Sequence, residues 1–258
     1  MSVFHKFHGT GNDFIIIDNR NQKFTTDEDI IKNLCHRRFG IGADGLILLE
    51  NSDKYDFSMR YFNSDGREGS MCGNGGRCIS AFAQRILKLS GKICFTAVDG
   101  VHHAEILKSS GNLTSVKLKM ADVTEIHQGD GYYFLDTGSP HHVVFVNHVD
   151  EVDVVGLGRK IRYSQDYPRG TNVDFVEIKN GKLLVLTYER GVEDETLSCG
   201  TGVTAAALAA SLVRPADTYD IVTKGGNLRV SFTMKNDSYT DIWLEGPVTY
   251  VFDGEIII

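Results

Sequence analysis

The sequence predicts an α+β protein built as two pseudo-symmetric halves, each with strands wrapped around one central helix. Three observations carry that prediction. Motifs recur in the same order at a nearly constant offset, each half holds one strongly helical segment, and short β-branched and aromatic runs stand before and after it.

Gly9-Thr10-Gly11-Asn12-Asp13-Phe14-Ile15-Ile16-Ile17 has a counterpart in Gly138-Ser139-Pro140-His141-His142-Val143-Val144-Phe145-Val146. Both read as a Gly-containing turn feeding a strand. Gly42-Ala43-Asp44-Gly45-Leu46-Ile47-Leu48 matches Gly170-Thr171-Asn172-Val173-Asp174-Phe175-Val176, and Met59-Arg60-Tyr61-Phe62-Asn63 matches Leu186-Thr187-Tyr188-Glu189-Arg190. Ser70-Met71-Cys72-Gly73-Asn74-Gly75 matches Leu197-Ser198-Cys199-Gly200-Thr201-Gly202. The offsets are 129, 128, 127 and 127, half the length of a 258-residue chain. Four ordered matches at one offset indicate duplication, with halves at 1–117 and 118–246.

The first helix is expected over Asn74–Leu89, with Ala81, Phe82, Ile86, Leu87 and Leu89 at helical spacing. The second is expected over Thr201–Val213. There Ala205, Ala206, Ala207, Leu208, Ala209 and Ala210 leave almost no polar face, so the helix must be enclosed. Pro215 cannot continue it.

Composition narrows the function. Charged residues make up 24% of the chain and the net charge is −7, with no basic cluster to track nucleic acid or an anionic membrane. Val203–Val213, the longest mostly apolar stretch, falls well short of the roughly 20 residues that span a bilayer. The start Met1-Ser2-Val3-Phe4-His5-Lys6 lacks the features of a secretory signal, so a soluble, cytoplasmic protein is expected. The cysteines, 5 in all, have no paired-framework or CxxC spacing; reduced thiols are expected and no metal or cofactor is indicated.

Two of these cysteines open the two helices, each as Cys-Gly-Xaa-Gly. The first turn of a helix has backbone N–H groups without intrahelical partners, and with the helix dipole they form an anion site suited to a carboxylate. The same placement lowers a cysteine's pKa from about 8.5 toward neutrality, where a thiol can take or give a proton. Two such thiols, one from each half, suit inversion at an amino-acid Cα. One removes the proton from one face, the other returns a proton to the opposite face, and fixed N–H donors stabilise the charge on the carboxylate. Cys35, Cys78 and Cys94 lack the Gly-rich turn and read as core residues. His102 and His103 read as surface residues, since neighbours on a strand point to opposite faces.

At these residues the chain resembles the diaminopimelate epimerases. The likeness runs through His8-Gly9-Thr10-Gly11-Asn12-Asp13-Phe14, Phe62-Asn63-Ser64-Asp65-Gly66 and Met71-Cys72-Gly73-Asn74-Gly75-Gly76-Arg77-Cys78. It continues through Gly138-Ser139-Pro140-His141, Tyr188-Glu189-Arg190-Gly191 and Glu195-Thr196-Leu197-Ser198-Cys199-Gly200-Thr201-Gly202. The resemblance implies a pyridoxal-independent enzyme interconverting LL- and meso-2,6-diaminopimelate in lysine and peptidoglycan precursor biosynthesis. It implies a barrel-like sheet around each helix, a final strand near 247–258 returning to the first half, and a homodimer. It further implies that Cys72 and Cys199 are the acid/base pair, and that Gly73, Asn74, Gly200 and Thr201 supply donors to the reacting carboxylate. By the same likeness Asn12, Asn63, Asn172, Glu189 and Arg190 contact substrate, and His141 and Glu189 adjust the thiols' ionisation.

The residues alone leave plainer readings: Asn12 as turn chemistry, and Glu189–Arg190 as a surface ion pair. The resemblance has two departures that bear on substrate identity: Gly45 stands where some members of that family have Gln, and Ser139 where many have Asn. A racemase for another amino acid, and a thiol redox or zinc-binding protein without turnover, are the competing functions.

Overall fold

The computed structural model describes residues 2–236 and 238–256. In chain order the strands are β1 Ser2–Gly9, β2 Asn12–Asp18, β3 Gly45–Glu50, β4 Phe57–Asn63, β5 Glu68–Gly69, β6 Lys92–Ala97, β7 Gly100–Ser110 and β8 Leu113–Lys119. They continue as β9 His127–Gln128, β10 Tyr133–Asp136, β11 Pro140–Phe145, β12 Asn172–Lys179, β13 Lys182–Glu189, β14 Asp194–Thr196, β15 Thr218–Thr223, β16 Gly226–Lys235 and β17 Ser238–Ile256. The helices are α1 Glu28–Cys35, α2 Gly73–Leu87, α3 Val154–Arg162 and α4 Gly200–Val213. The chain forms two compact units, one of Met1–Leu118 with Gly246–Ile258 and one of Lys119–Glu245.

In the first unit β1 pairs antiparallel with β2, β2 parallel with β3, β3 antiparallel with β4 and β4 parallel with β6. Antiparallel pairs β6–β7 and β7–β8 follow. The far end of β17 pairs antiparallel with both β8 and β1, which closes an eight-strand ring. The second unit repeats the series: β10–β11 antiparallel, β11–β12 parallel, β12–β13 antiparallel, β13–β15 parallel, then β15–β16 and β16–β17 antiparallel. In each unit a short strand, β5 or β14, lies beside the strand before the long helix. Pairing type matches step for step, so the duplication extends to topology.

Sequence dictates much of this locally. Thr10 and Gly11 both have positive φ (49° and 87°), so a two-residue turn of the twist-matched kind joins β1 to β2 and aims Asn12 at the start of a strand. Phe14–Ile17 and Leu46–Leu49 are buried throughout, as expected of a parallel pair covered on both faces. Helix α1 begins at Asp27, whose carboxylate accepts from the N–H groups of Asp29 and Ile30.

The long helices sit inside their sheets. Helix α2 is buried from Gly73 to Ala83, and α4 is buried over Gly202–Ser211. Each starts one residue earlier than its sequence pattern indicates. Helix α2 also ends sooner, because Lys88 turns left-handed (φ 59°); α4 ends where Arg214 becomes extended before Pro215. One surface expectation is corrected. His102 is half-buried, its ring 5.4 Å from that of Phe95 and its Nε2 3.0 Å from Asp99 Oδ1, because it stands opposite Phe95 in the β6–β7 pair; His103 is exposed.

Candidate active site

Cys72 and Cys199 occupy the N-cap positions of α2 and α4, each in extended conformation and neither using its side chain to cap the helix. The glycines that follow carry no side chain over the first-turn N–H groups. Around each thiol the fold gathers a set of polar residues contributed by equivalent strands.

In the first unit Cys72 Sγ lies 3.5 Å from Asn12 Oδ1, which also accepts from Asn74 Nδ2 at 3.2 Å. Asn12 Nδ2 donates to Asp44 Oδ2 at 2.7 Å, so both ends of its amide are held. Arg37 bridges Asp44 and Asp13, and Lys6 pairs with Asp13 at 2.6 Å. With these two cations attached, the Asp13 carboxyl falls to about 2, against the upward push of burial. Asn12 thus does more than serve a turn. Arg77, fully buried, donates to Asn74 Oδ1 at 2.9 Å and so orients that amide. Among the described residues Arg77 has no carboxylate at ion-pair distance, and burial lowers its pKa. Asn63 is exposed at the end of β4, its Oδ1 accepting from the Tyr61 hydroxyl at 3.0 Å.

In the second unit Cys199 Sγ lies 3.4 Å from Thr201 Oγ1, which lies 2.9 Å from His141 Nε2. His141 Nδ1 lies 2.7 Å from Asp174 Oδ2, with both side chains fully buried, and Asp174 Oδ1 accepts from Thr187 Oγ1 at 2.7 Å. Asn172 Oδ1 accepts from the Arg190 N–H at 2.8 Å, while its Nδ2 faces Pro140 O and His141 Nε2. The two sets correspond. Asn12, Asp44 and Asn74 in one unit stand where His141, Asn172 and Thr201 stand in the other, by the offsets of the repeat.

The Arg190 side chain is exposed and donates to Arg169 O at 3.2 Å. His141 does not meet a cysteine directly, since Thr201 stands between. The expectation of a lowered thiol pKa is corrected for Cys199. Burial pushes it well above its ordinary value, the charges of Glu189 and Asp174 add to the rise, and the Thr201 hydroxyl and Gly202 N–H only partly oppose it. Burial also raises three further thiols, Cys35 to about 12 and Cys78 and Cys94 in the same direction. All five cysteines are free.

Gly45 is required by its surroundings. A Cβ there would lie 2.5 Å from Tyr61 Cε2 and 2.6 Å from Phe62 O. The Tyr61 ring takes the place of a side chain at 45, and its hydroxyl holds Asn63. Asp44, Arg77, Asp174 and Thr187 were not among the sequence candidates. Asp44 and Asp174 nevertheless lie inside the same recurring motif, one just before the apolar run Leu46–Leu49 and the other between Val173 and Phe175, and that recurrence was the available signal. Among the described residues no group of three or more His, Cys, Asp or Glu is placed to hold a metal, and no helix is long and apolar enough to cross a membrane.

A duplicated α+β fold with one buried helix per unit is shared with solved structures of low sequence identity. A Bacillus anthracis phenazine biosynthesis protein of the PhzF family superposes with a TM-score of 0.79 at 14% identity, covering 100% of this chain and 99% of its own. Sequence then narrows the class. The family described as diaminopimelate epimerase matches residues 4–124 and 133–251. A Flavobacterium psychrophilum protein named diaminopimelate epimerase is 49% identical over 98% of this chain and 99% of its own length. A Chlorobaculum tepidum protein of that name is 43% identical over 97% and 99%. The chain belongs to the diaminopimelate epimerase family, and it is an isomerase.

Proposed function

We propose that this enzyme interconverts LL- and meso-2,6-diaminopimelate by a two-thiol acid/base mechanism, without pyridoxal phosphate, in lysine and peptidoglycan precursor biosynthesis. The observation that carries the reading is the paired placement of Cys72 and Cys199. Each N-caps the buried helix of one of two topologically equivalent units, in a chain whose relatives bear that enzyme's name. In this reading one cysteine, as thiolate, takes the Cα proton from one face of the substrate. The other, as thiol, gives its proton to the opposite face, and the reverse reaction exchanges the roles. The first-turn N–H groups at Gly73–Asn74 and Gly200–Thr201 receive the charge that builds on the carboxylate.

The substrate's second amino-acid head falls to Asn12, Asn63, Asn172 and Arg190 in this proposal. Arg190 supplies a planar, two-pronged donor for a distal carboxylate. The burial and carboxylates that raise Cys199 favour its thiol form, with Glu189 contributing directly. Cytoplasmic location and a homodimer complete the reading.

The test is incubation with LL-diaminopimelate in D2O. Solvent deuterium should enter at Cα as the meso isomer forms; a wild-type enzyme that exchanges no proton refutes the function. Cys72→Ala and Cys199→Ala should each abolish epimerisation, and full turnover in either variant rules out the two-thiol mechanism.

A further inference from the structure

Asn63 and Arg190 stand at equivalent positions of the repeat. Asn63 closes β4 and Arg190 follows β13, and each chain then turns back into a short strand, β5 or β14. Both hairpin tips carry a left-handed residue three places further on. In the first unit it is Gly66 (φ 93°), packed so closely on the start of α1 that a Cβ would run into the Glu28 carbonyl. In the second unit it is Glu193 (φ 59°). A residue with a Cβ is disfavoured in this conformation and glycine is not, so a glutamate here points to a use for its side chain.

That side chain bonds with both oxygens. Glu193 Oε1 accepts from the Gly191 N–H at 3.0 Å and from Arg162 Nε at 3.3 Å, and Oε2 accepts from the hydroxyl of the buried Tyr188 at 3.1 Å. The Glu193 N–H donates to Glu189 O at 2.8 Å and closes the turn. Burial pushes the carboxyl up, but the Gly191 N–H, the Tyr188 and Tyr163 hydroxyls and the Arg162 guanidinium outweigh it and hold the group below its ordinary range. The tip is thus tied to α3, whose last residue is Arg162.

Arg162 also reaches a second segment, because its guanidinium lies where a Cβ on Gly170 would fall. The two segments that Arg162 touches are the two that hold Arg190. At the tip the Arg190 N–H donates to Asn172 Oδ1 at 2.8 Å, and beside Gly170 the Arg169 carbonyl accepts from Arg190 Nη1 at 3.2 Å. In the first unit Arg37 lies against Gly42, the counterpart of Gly170, but its guanidinium pairs with Asp13 and Asp44.

We propose that Glu193 is a positioning residue that pins the Arg190 tip to α3 through Arg162 and so sets how tightly the enzyme holds the far carboxylate of its substrate. A tip ordered in advance spares binding the entropy of ordering it. The effect on substrate rests on the reading in which Arg190 meets that carboxylate; the pinning does not. The far head is the same in ground and transition states, so its loss falls on KM.

Glu193→Gly gives the second tip the residue that the first one has. In the ligand-free variant, NMR should show the Arg190 amide, whose acceptor Asn172 is untouched, exchanging about tenfold faster or more. Unchanged exchange overturns the pinning, whatever the substrate. For LL-diaminopimelate KM should rise about 10–100-fold with kcat within about threefold. A tip with a merely structural role would lower the active fraction, and a fallen kcat with KM unchanged overturns the proposal. Arg162→Leu should reproduce the rise in KM, and an unchanged KM there overturns the anchoring on α3. Arg190→Gln separates the two readings. If its KM is unchanged, the assignment of Arg190 to the substrate fails, while the exchange result still decides the pinning. If its KM rises, adding Glu193→Gly should raise it no more than about twofold further; a fully multiplied rise shows Glu193 acting apart from Arg190 and overturns the proposal.

Discussion

The duplication provides an internal control for close packing at a helix start. Gly75 and Gly202 are the third residues of α2 and α4 and stand at equivalent positions of the repeat, so the same substitution tests two environments. A Cβ on Gly202 would meet Asp174 Oδ1 at 2.4 Å and Thr187 Oγ1 at 3.2 Å. The first distance is roughly 1 Å inside van der Waals contact. Relief requires the carboxylate to leave its bonds with His141 and Thr187, each worth about 1.5–3 kcal/mol when the acceptor is charged. Helix propensity returns about 1 kcal/mol for Gly→Ala. The net loss for Gly202→Ala is then about 2–5 kcal/mol, or a Tm lower by roughly 4–20 °C for a chain of this size. The atoms nearest a Cβ on Gly75 would be Ile47 Cδ1 at 3.2 Å, Met59 Cε at 3.5 Å and Cys72 Cβ at 3.6 Å. The first two are ends of flexible side chains, so Gly75→Ala should be neutral within about 1 kcal/mol. Thermal unfolding of both variants under identical conditions decides the matter. A Gly202→Ala Tm at or above that of Gly75→Ala refutes the reasoning.

Two further expectations concern stability. Burial lowers His142 to about 4 from its ordinary 6.5, its ring stacked on Tyr132 and its Nδ1 2.7 Å from the Tyr167 hydroxyl. The unfolded chain takes up that proton at higher pH than the folded one, so stability is constant above 6.5 and falls as pH drops toward 4. Urea midpoints at pH 7 and pH 4.5 should differ less in His142→Phe than in wild type; equal differences refute the assignment. At Gly45, adding a side chain should destabilise, because Gly45→Gln drives a Cβ into Tyr61 and costs about 1–3 kcal/mol. Adding Tyr61→Ala should recover part of that loss, and no recovery in the double variant's Tm counts against Tyr61 as the obstacle.

The repeat made the fold legible. Once Gly9–Ile17 and Gly138–Val146 are aligned, the apolar helices at Ala81–Leu87 and Ala205–Ala210 must lie in equivalent enclosures, and the paired Cys-Gly-Xaa-Gly starts locate both thiols. The supporting residues were harder to read. Asp174 and Asp44 act through side chains distant in sequence, and nothing local shows that Asp174 is enclosed between His141 and Thr187. Arg77 lies in a helical pattern where an arginine ordinarily faces solvent, and only the packing of α2 against β1 and β2 encloses it. The direction of the Cys199 shift is not visible in the sequence for a related reason. A helix start is a local feature, whereas burial and the nearness of Glu189 and Asp174 come from strands assembled around it.

The last strand has a consequence for how the chain is made. The first part of β17 belongs to the second unit, and residues 246–256 complete the ring of the first between β8 and β1. During synthesis the second unit, 119–245, has its full complement of strands before the first does. Until those last residues emerge, β1 and β8 are open edges whose unpaired backbone groups can accept a foreign strand. Loss of a dozen residues at the C-terminus would therefore open the barrel that holds Cys72, far away in sequence, and leave the unit carrying Cys199 with all its strands. The order in which the strands are made therefore sets when the first thiol can acquire its setting.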